Sequence, residues 1–352
     1  MDALGLTFDE LLQRLQPSAA ATRKLRAAYR DLFSGVVPDD SSLAADVLPI
    51  AQQSSDGELV KFTQRTPDDL EIESVVVPME RSGRRWKTLC VSSQIGCGRG
   101  CAFCETAQLG LLRNLTAGEI VGQFVAARRH FGEIRNVVFM GMGEPFDNFD
   151  AVTQAIRVLN DRRGASLGRE RIKVSTVGRV EGIRRFGRLG WRRITLAISL
   201  NAPNDRIRSQ IMPINRLDPM PRLRSTLLEY PGADRRWFMI EYVLLPGVND
   251  ATDHARELAD YLRPLRSVVN VIPYNPRRES PWRSPTTAEI RRFTTALADA
   301  GQVCKLRVTK GLARMAACGQ LGNRSLSRPP AVHPGYEAGG TKGRTSYLRL
   351  AT

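Results

Sequence analysis

The sequence predicts an α/β fold, an open partial (β/α)6 barrel with a small N-terminal helical module and a basic, flexible C-terminal tail. Three observations lead there. From Trp86 onward, apolar strand candidates alternate with helical stretches six times, and such alternation gives a parallel sheet with right-handed crossovers. Ahead of that point the periodicity differs, helical at first and then close to two. Finally, 352 residues at 42% hydrophobic content suffice to bury one large core with smaller attachments.

Residues 1–45 are expected to form the helical module. Leu4, Phe8, Leu11, Leu12 and Leu15, then Leu25, Tyr29, Leu32 and Phe33, recur at helical spacing, with Arg23, Lys24, Arg26 and Arg30 on the polar side. Pro38-Asp-Asp-Ser-Ser ends it. Residues 46–89 read as an antiparallel lead-in, with a turn at Ser54-Ser-Asp-Gly57 and strands over Leu59–Phe62 and Ile72–Pro78. The core, residues 90–321, draws its first strand from Thr88–Ser92. Its others are Asn136–Met140, Ile172–Ser175, Ile194–Leu200, Trp237–Leu245 and Asn270–Tyr274. The helices between them are Ala117–His130, Ala151–Asn160, Val180–Leu189, Met220–Tyr230 and Ala251–Leu265, with Thr287–Ala300 after the last. A short further strand, Cys304–Val308, precedes the loop that carries Cys318. Residues 322–352 hold Arg324, Arg328, Lys342, Arg344 and Arg349 among Gly, Pro and Ser without core periodicity, and form the basic tail. In a parallel sheet the active residues lie on loops beyond the carboxyl ends of the strands.

The formal charge is +16, and most of the basic excess is arginine. Such a surface attracts polyanions, nucleic acid first, with binding that weakens steeply in salt. A merely solvated basic surface is the bland alternative. No apolar run reaches the roughly eighteen residues of a membrane span, and charged residues interrupt the region where a signal peptide would be apolar. The expected protein is a cytoplasmic monomer that crosses no membrane. In a reducing compartment, clustered cysteines point to metal binding or catalysis more than to a disulfide framework.

Four of the six cysteines fall within Cys90-Val-Ser-Ser-Gln-Ile-Gly-Cys97-Gly-Arg-Gly-Cys101-Ala-Phe-Cys104. The last three are spaced C-x3-C-x2-C between Gly96, Gly98 and Gly100, so a pliant backbone can wrap three thiolates around one inorganic core. Phe103 is placed to shield one side of it. A cubane iron–sulfur cluster takes four cysteine ligands, so a three-cysteine loop leaves one iron open. A structural zinc site would close with a fourth Cys or His, and none of His130, His254 and His333 sits near a paired ligand. An open iron beside a parallel sheet suits chelation of S-adenosylmethionine through its amino and carboxylate groups. One electron from the cluster then cleaves the sulfonium to give a carbon radical.

This arrangement resembles the radical S-adenosylmethionine superfamily. The flanking motifs narrow it: Thr-Leu-Cys90-Val-Ser-Ser-Gln-Ile-Gly-Cys97, Gly141-Met-Gly-Glu-Pro145, Ser199-Leu-Asn-Ala-Pro-Asn-Asp205, Ile211-Met-Pro-Ile-Asn215, Ile240-Glu-Tyr-Val-Leu-Leu-Pro-Gly-Val-Asn249, Ile272-Pro-Tyr-Asn-Pro276 and Ala316-Ala-Cys-Gly-Gln-Leu321. In that order, from about residue 54 to 321, they are similar to the RlmN/Cfr family of RNA adenine methyltransferases.

The resemblance implies a barrel of the radical S-adenosylmethionine type, with Cys97, Cys101 and Cys104 binding a [4Fe-4S] cluster. It implies cosubstrate contacts from Gly143, Glu144, Ser175, Ser199, Leu200, Asn201 and Asn275. Cys318 would be methylated on sulfur by one S-adenosylmethionine; a second would supply the radical that removes hydrogen from that methyl group, two per turnover. The methylene radical would add to an adenine carbon, C2 in preference to C8, in ribosomal or transfer RNA extruded from its stack. Glu73 would remove the adenine proton. Cys90 would then release the methylated base by forming a transient disulfide with Cys318 that thiol exchange resets. An electron donor of the flavodoxin or ferredoxin kind is the implied partner besides RNA. Cys304 matches no family cysteine and is expected to be buried.

This chain departs from the family pattern at Asn201, where the family generally has His, and at Gly311-Leu-Ala-Arg-Met315, where its loop is acidic. A basic segment, Arg81-Ser-Gly-Arg-Arg-Trp86, interrupts the approach to Cys90. Two further readings stay open on the sequence: a radical enzyme of the same mechanism acting on another RNA or heteroaromatic acceptor, and a non-catalytic RNA-binding protein with a structural metal.

Overall fold

The computed structural model describes residues 2–35, 47–307, 315 and 319–322. Two helices open it, α1 (Phe8–Leu15) and α2 (Ala19–Leu32). Thr7 and Glu10 form a reciprocal capping box on α1, and the Ser18 hydroxyl caps α2 by accepting from Ala21 N. Leu11, Leu25 and Tyr29 turn inward while Arg23, Lys24, Arg26 and Arg30 are exposed, as the helical period requires. The pair is packed onto the rest of the chain. Phe8 N donates to Asp161 Oδ2 at 2.7 Å, and Phe8 and Tyr29 belong to the main apolar core.

Four antiparallel strands follow as a meander, β1 (Ile50–Asp56), β2 (Leu59–Arg65), β3 (Glu71–Arg81) and β4 (Arg84–Val91). The basic segment at 81–86 is the hairpin joining β3 to β4. Arg81 pairs with Arg84, and Ser82 and Gly83 take φ +50° and +73°, the two left-handed positions of a two-residue turn. Directly after β4, β5 (Gln94–Gly96) and β6 (Leu111–Asn114) form a separate antiparallel ribbon.

β4 also pairs in parallel with β7 (Asn136–Phe139), and the parallel run continues through β8 (Ile172–Thr176), β9 (Thr195–Ser199), β10 (Phe238–Leu244), β11 (Ser267–Pro273) and β12 (Cys304–Leu306). The large sheet has the linear order β1-β2-β3-β4-β7-β8-β9-β10-β11-β12. It is therefore open, and the expected six-strand barrel is its middle. The crossover helices are α3 (Ala117–Phe131), α4 (Phe149–Asn160), α5 (Val180–Arg188), α6 (Asp205–Ile211), α7 (Met220–Leu228), α8 (Thr252–Leu262) and α9 (Thr287–Asp299). Among the described residues, no helix is long and apolar enough to cross a membrane.

Period-two alternation divides the two faces of the parallel strands. Val137, Phe139, Ile172, Val174, Leu196, Ile198, Ile240, Tyr242, Val269 and Val271 are all buried in the main core. Each such side chain contributes roughly 2 kcal/mol. The opposite face carries Ser175, Ser199, Glu241, Val243 and Ile272 into a cavity. Cys304 departs from expectation: it is half-buried beside exposed Val303 and Leu306, because β12 ends the sheet and has a neighbour on one side only. Trp237 lies outside β10 and is 49% exposed. Of the expected tail, only Gly322 lies within the described residues, and the end of the helical module at Pro38 lies outside them.

Candidate active site

The loop after β4 is closed at its base before it can hold anything. The β5–β6 ribbon brings Gly96 against Gly110, and Cys97 N donates to Gly110 O at 2.8 Å. Gly96 has φ +76°, and a Cβ there would lie 1.9 Å from the Gly110 carbonyl oxygen, so only glycine permits the closure. Cys97, Cys101 and Cys104 line one cavity of about 610 Å³ with Phe103, and Cys101 and Phe103 pack on Ile207, Ile211 and Met212. Burial pushes the Cys97 thiol up to about 12; burial also raises Cys101 and Cys104, and neighbouring negative groups add to each shift.

Glu144 enters the same cavity from the end of β7. Its Oε1 accepts from Phe146 N at 3.1 Å, its Oε2 from Val177 N at 2.8 Å, and its own N–H donates to Gln94 Oε1 at 2.8 Å. Burial outweighs these donors and pushes the carboxyl up to about 7. Gly143 precedes it at φ +96°, where a Cβ would meet Gln94 Cβ at 2.5 Å. Ser175 and Ser199 stand on adjacent strands with their Oγ atoms 3.2 Å apart. Asn275 lies beyond β11 and lines the cavity too.

Asn201 sits at φ +57°, a left-handed backbone that asparagine tolerates better than most residues. Its Oδ1 accepts from Val243 N at 2.9 Å, and its carbonyl accepts from Asn249 Nδ2 at 2.8 Å, which fixes the end of β9 against β10. Leu200 is placed differently from the other expected contacts. Its side chain is buried in the main core, and its carbonyl oxygen accepts from Arg208 Nε at 3.1 Å.

Cys90 and Glu73 face the cavity side of the antiparallel strands. Cys90 is paired in register with Val75 and packs with Leu59, Met142 and Leu321, lining the cavity. Glu73 is 2% exposed, so the ordinary expectation of a solvated strand glutamate does not apply. It is held by Lys61 Nζ at 2.8 Å and by Gly322 N at 3.0 Å, both on Oε2. Cys318 lies outside the described residues. Its described neighbours are seated against the cysteine loop: Glu105 N donates to Gly319 O at 2.7 Å, Thr106 Oγ1 to Leu321 O at 2.5 Å, and Gln320 Nε2 reaches Pro276 O at 2.9 Å. No disulfide joins two of the described cysteines.

Residues with no expected role also build the site. Arg208 is fully buried and donates to Leu200 O, Val177 O and Asn215 Oδ1, tying the ends of β8 and β9 to α6. Gln94 links Glu144 N to Asn114. Asn249 bonds Leu245 N, Val243 O and Asn201 O. Arg208 sits in an exposed-looking helical pattern, so nothing local marks it. Asn249 and Gln94 stood inside family-like motifs without an assigned purpose.

With this geometry in place, comparison with known proteins is informative. Residues 91–261 match the radical SAM superfamily. The chain is 47% identical over 282 residues to the "Probable dual-specificity RNA methyltransferase RlmN 1" of Protochlamydia amoebophila, covering 80% of this chain and 78% of that protein. It is 42% identical over 314 residues to the dual-specificity RNA methyltransferase RlmN of Lawsonia intracellularis, covering 87% and 85%. The crystal structure of a radical SAM methyltransferase from Sphaerobacter thermophilus superposes with a TM-score of 0.83 at 38% identity, covering 91% of this chain and 98% of that one. The chain belongs to the RlmN/Cfr family of radical S-adenosylmethionine RNA methyltransferases.

Proposed function

We propose that this chain methylates an adenine carbon, C2 in preference to C8, in ribosomal or transfer RNA, through an S-methylated Cys318 and a transient protein–RNA adduct. The supporting observation is that Cys90 shares one cavity with Cys97, Cys101, Cys104 and Glu144, and with Gly319 and Leu321 on the carboxyl side of Cys318. Cys90 and Gly319, more than two hundred positions apart in sequence, thus line one space.

Membership of the family implies a 4Fe-4S cluster and S-adenosylmethionine. Each thiolate of a cubane meets a different iron, so three cysteines need to face one space rather than meet at a point. Cys97, Cys101 and Cys104 do so, and among the described residues no three Cys, His, Asp or Glu donors converge on a single ion. These three are the ligands we assign, with the fourth iron left to the cosubstrate. Their raised thiol pKa values mean that loading releases protons. The bound cluster would supply the electron that splits the cosubstrate sulfonium.

The chain's own residues do the rest. The Glu144 carboxylate accepts from the cosubstrate amino group, and the Ser175 and Ser199 hydroxyls line the space beside it. Glu73 accepts the adenine proton, with Lys61 holding its carboxylate in place. Cys90, as the thiolate, resolves the adduct by attacking the Cys318 sulfur: the sulfur–sulfur bond forms, the carbon–sulfur bond breaks and leaves its electron pair on the transferred carbon, which takes up a proton to become methyl, and an external thiol later reduces the disulfide. Two cosubstrate molecules are used per turnover, a flavodoxin- or ferredoxin-type donor supplies electrons, and the enzyme works as a cytoplasmic monomer. The test is mass spectrometry of RNA nucleosides from cells with and without this chain. Loss of one methyladenosine isomer is expected; unchanged amounts of every isomer would end the proposal.

A further inference from the structure

We propose that the end of the sheet opposite the cysteine cavity is a second contact surface for RNA, with phosphates held by a row of arginines and an unpaired base stacked on Trp237. The assignment rests on RNA being the substrate. Four loops lead into β8, β9, β10 and β11 at that end, residues 161–171, 189–194, 229–237 and 263–266. They carry ten arginines, no lysine and four acidic residues, so the excess charge of the chain is concentrated there. Contacts between the loops make one continuous surface of them. The Arg169 guanidinium lies 5.5 Å from the Trp191 ring centroid, and Arg236 Nη2 donates to Ile194 O. Phe238 N donates to Arg266 O at 2.8 Å, and Arg266 Nη1 to Asp234 O at 3.1 Å.

The positive charge at this end is left unbalanced. Asp161 is buried against Arg163, Asp234 sits 3.3 Å from Arg235, and Glu229 is 3.9 Å from Arg184. Arg162, Arg171, Arg192, Arg193 and Arg266 are exposed, and none of them has a carboxylate partner among the described residues. Register brings several of these charges together. Lys173 pairs with Thr195, and Arg171 and Arg193 each lie two residues upstream of that pair. Ala197 pairs with Met239, and Arg193 and Arg235 each lie four residues upstream of it. Neighbouring strands are about 4.8 Å apart, and like charges facing each other at such a spacing repel. A bound polyanion removes that repulsion and releases its own counterions.

Chemistry then selects the polyanion. Guanidinium groups hold phosphate oxygens two at a time, which the lysine-free composition of these loops favours. Trp237 is 49% exposed, with the Arg266 guanidinium 5.1 Å from its ring centroid, and a base can stack on such a ring. An acidic protein brings carboxylates but no flat ring for the indole. An electron donor must also come close to the cluster, whereas Glu144, Asn201 and Asn275 lie beyond the other ends of the strands. The seven residues of β10 separate the two ends by about 20 Å, at roughly 3.3 Å per residue. One RNA that occupies both ends therefore passes round the domain.

The experiment is filter binding of the full chain to a single-stranded RNA of about thirty nucleotides over a range of salt concentrations, for wild type and for a triple variant, Arg171→Gln with Arg192→Gln and Arg193→Gln. The variant is expected to bind at least about tenfold more weakly at low salt, and its slope of log affinity against log salt should be shallower by about two. Trp237→Ala should bind roughly tenfold more weakly with the slope unchanged, because stacking releases no counterion. Ultraviolet crosslinking of the wild type to the same RNA should place an adduct on Trp237, read by peptide mass spectrometry. Unchanged affinity and slope in the triple variant would overturn the assignment and leave the proposed function standing. No binding of RNA by the wild type would overturn both. Loss of binding to a flavodoxin or to anionic phospholipid vesicles in the triple variant, with RNA affinity intact, would hand the surface to that partner and overturn the assignment. Iron content and thermal melting check the variants. Should they fail to fold, the crosslinks decide, and adducts confined to the cavity end of the strands would overturn it.

Discussion

Lys61 Nζ and Glu73 Oε2 form a 2.8 Å ion pair on adjacent strands, and Lys61 also donates to Met315 O at 3.3 Å while Glu73 accepts from Gly322 N. The two side chains thus grip backbone at residues 315 and 322, on both sides of Cys318. Removing Lys61 leaves a nearly buried carboxylate with one backbone donor. Lys61→Met is expected to lower stability by roughly 3 kcal/mol, read from urea unfolding of matched samples. A loss below about 0.5 kcal/mol would mean that the pair behaves as an exposed one.

Replacing Glu73 by Gln removes the proposed proton acceptor while keeping the shape. Methyl transfer to RNA is expected to fall by about a hundredfold or more, the usual scale of general-base loss. S-methylation of Cys318, scored by peptide mass spectrometry, should persist. Wild-type turnover in the variant would take the base role away from Glu73.

Cys90→Ala keeps the small apolar contact with Leu59 and Val75 but cannot attack sulfur. Electrophoresis should show a covalent protein–RNA species that accumulates in the variant and that ribonuclease digests. An uncrosslinked, fully active Cys90→Ala protein would remove the resolving step.

Cys101→Ala should abolish the iron and sulfide content of anaerobically reconstituted protein. Loading of the wild type should release protons, because the thiols sit above their ordinary pKa. Undiminished iron in Cys101→Ala would place the cluster elsewhere.

Glu144 gives a pH signature. Its carboxyl is raised to about 7 from 4.5, so the folded state holds the proton more tightly than the unfolded chain. The stability this contributes is complete below about pH 4.5 and lost as pH rises through about 7, on the order of 3 kcal/mol. Relative to Glu144→Gln, cluster-free wild type should lose that amount between those limits, by denaturant titration. Cosubstrate binding should run the other way and strengthen above pH 7, where the ionised carboxylate can accept from the cosubstrate amino group. Parallel pH profiles of wild type and variant would show that Glu144 does not titrate in this range.

Much of this was legible in the chain. The parallel strands and most of their helices begin and end within a few residues of their expected bounds, because alternating apolar runs are local signals. The cysteine loop was legible for the same reason: its glycines and thiols are neighbours in sequence, and Gly96 answers to a contact inside its own hairpin.

What the tertiary structure alone decided involves partners far apart along the chain. Glu73 reads locally as a solvated strand residue and becomes a buried base candidate only when Lys61 and Gly322 meet it. Arg208 looks like a polar helix position until four strand and loop ends close around it. Glu241 shows its unpartnered oxygen only once β9 and β11 lie on either side. Periodicity reports which face a side chain takes, whereas burial of a charge depends on what the other strands bring, and that is set by the order in which the strands pair.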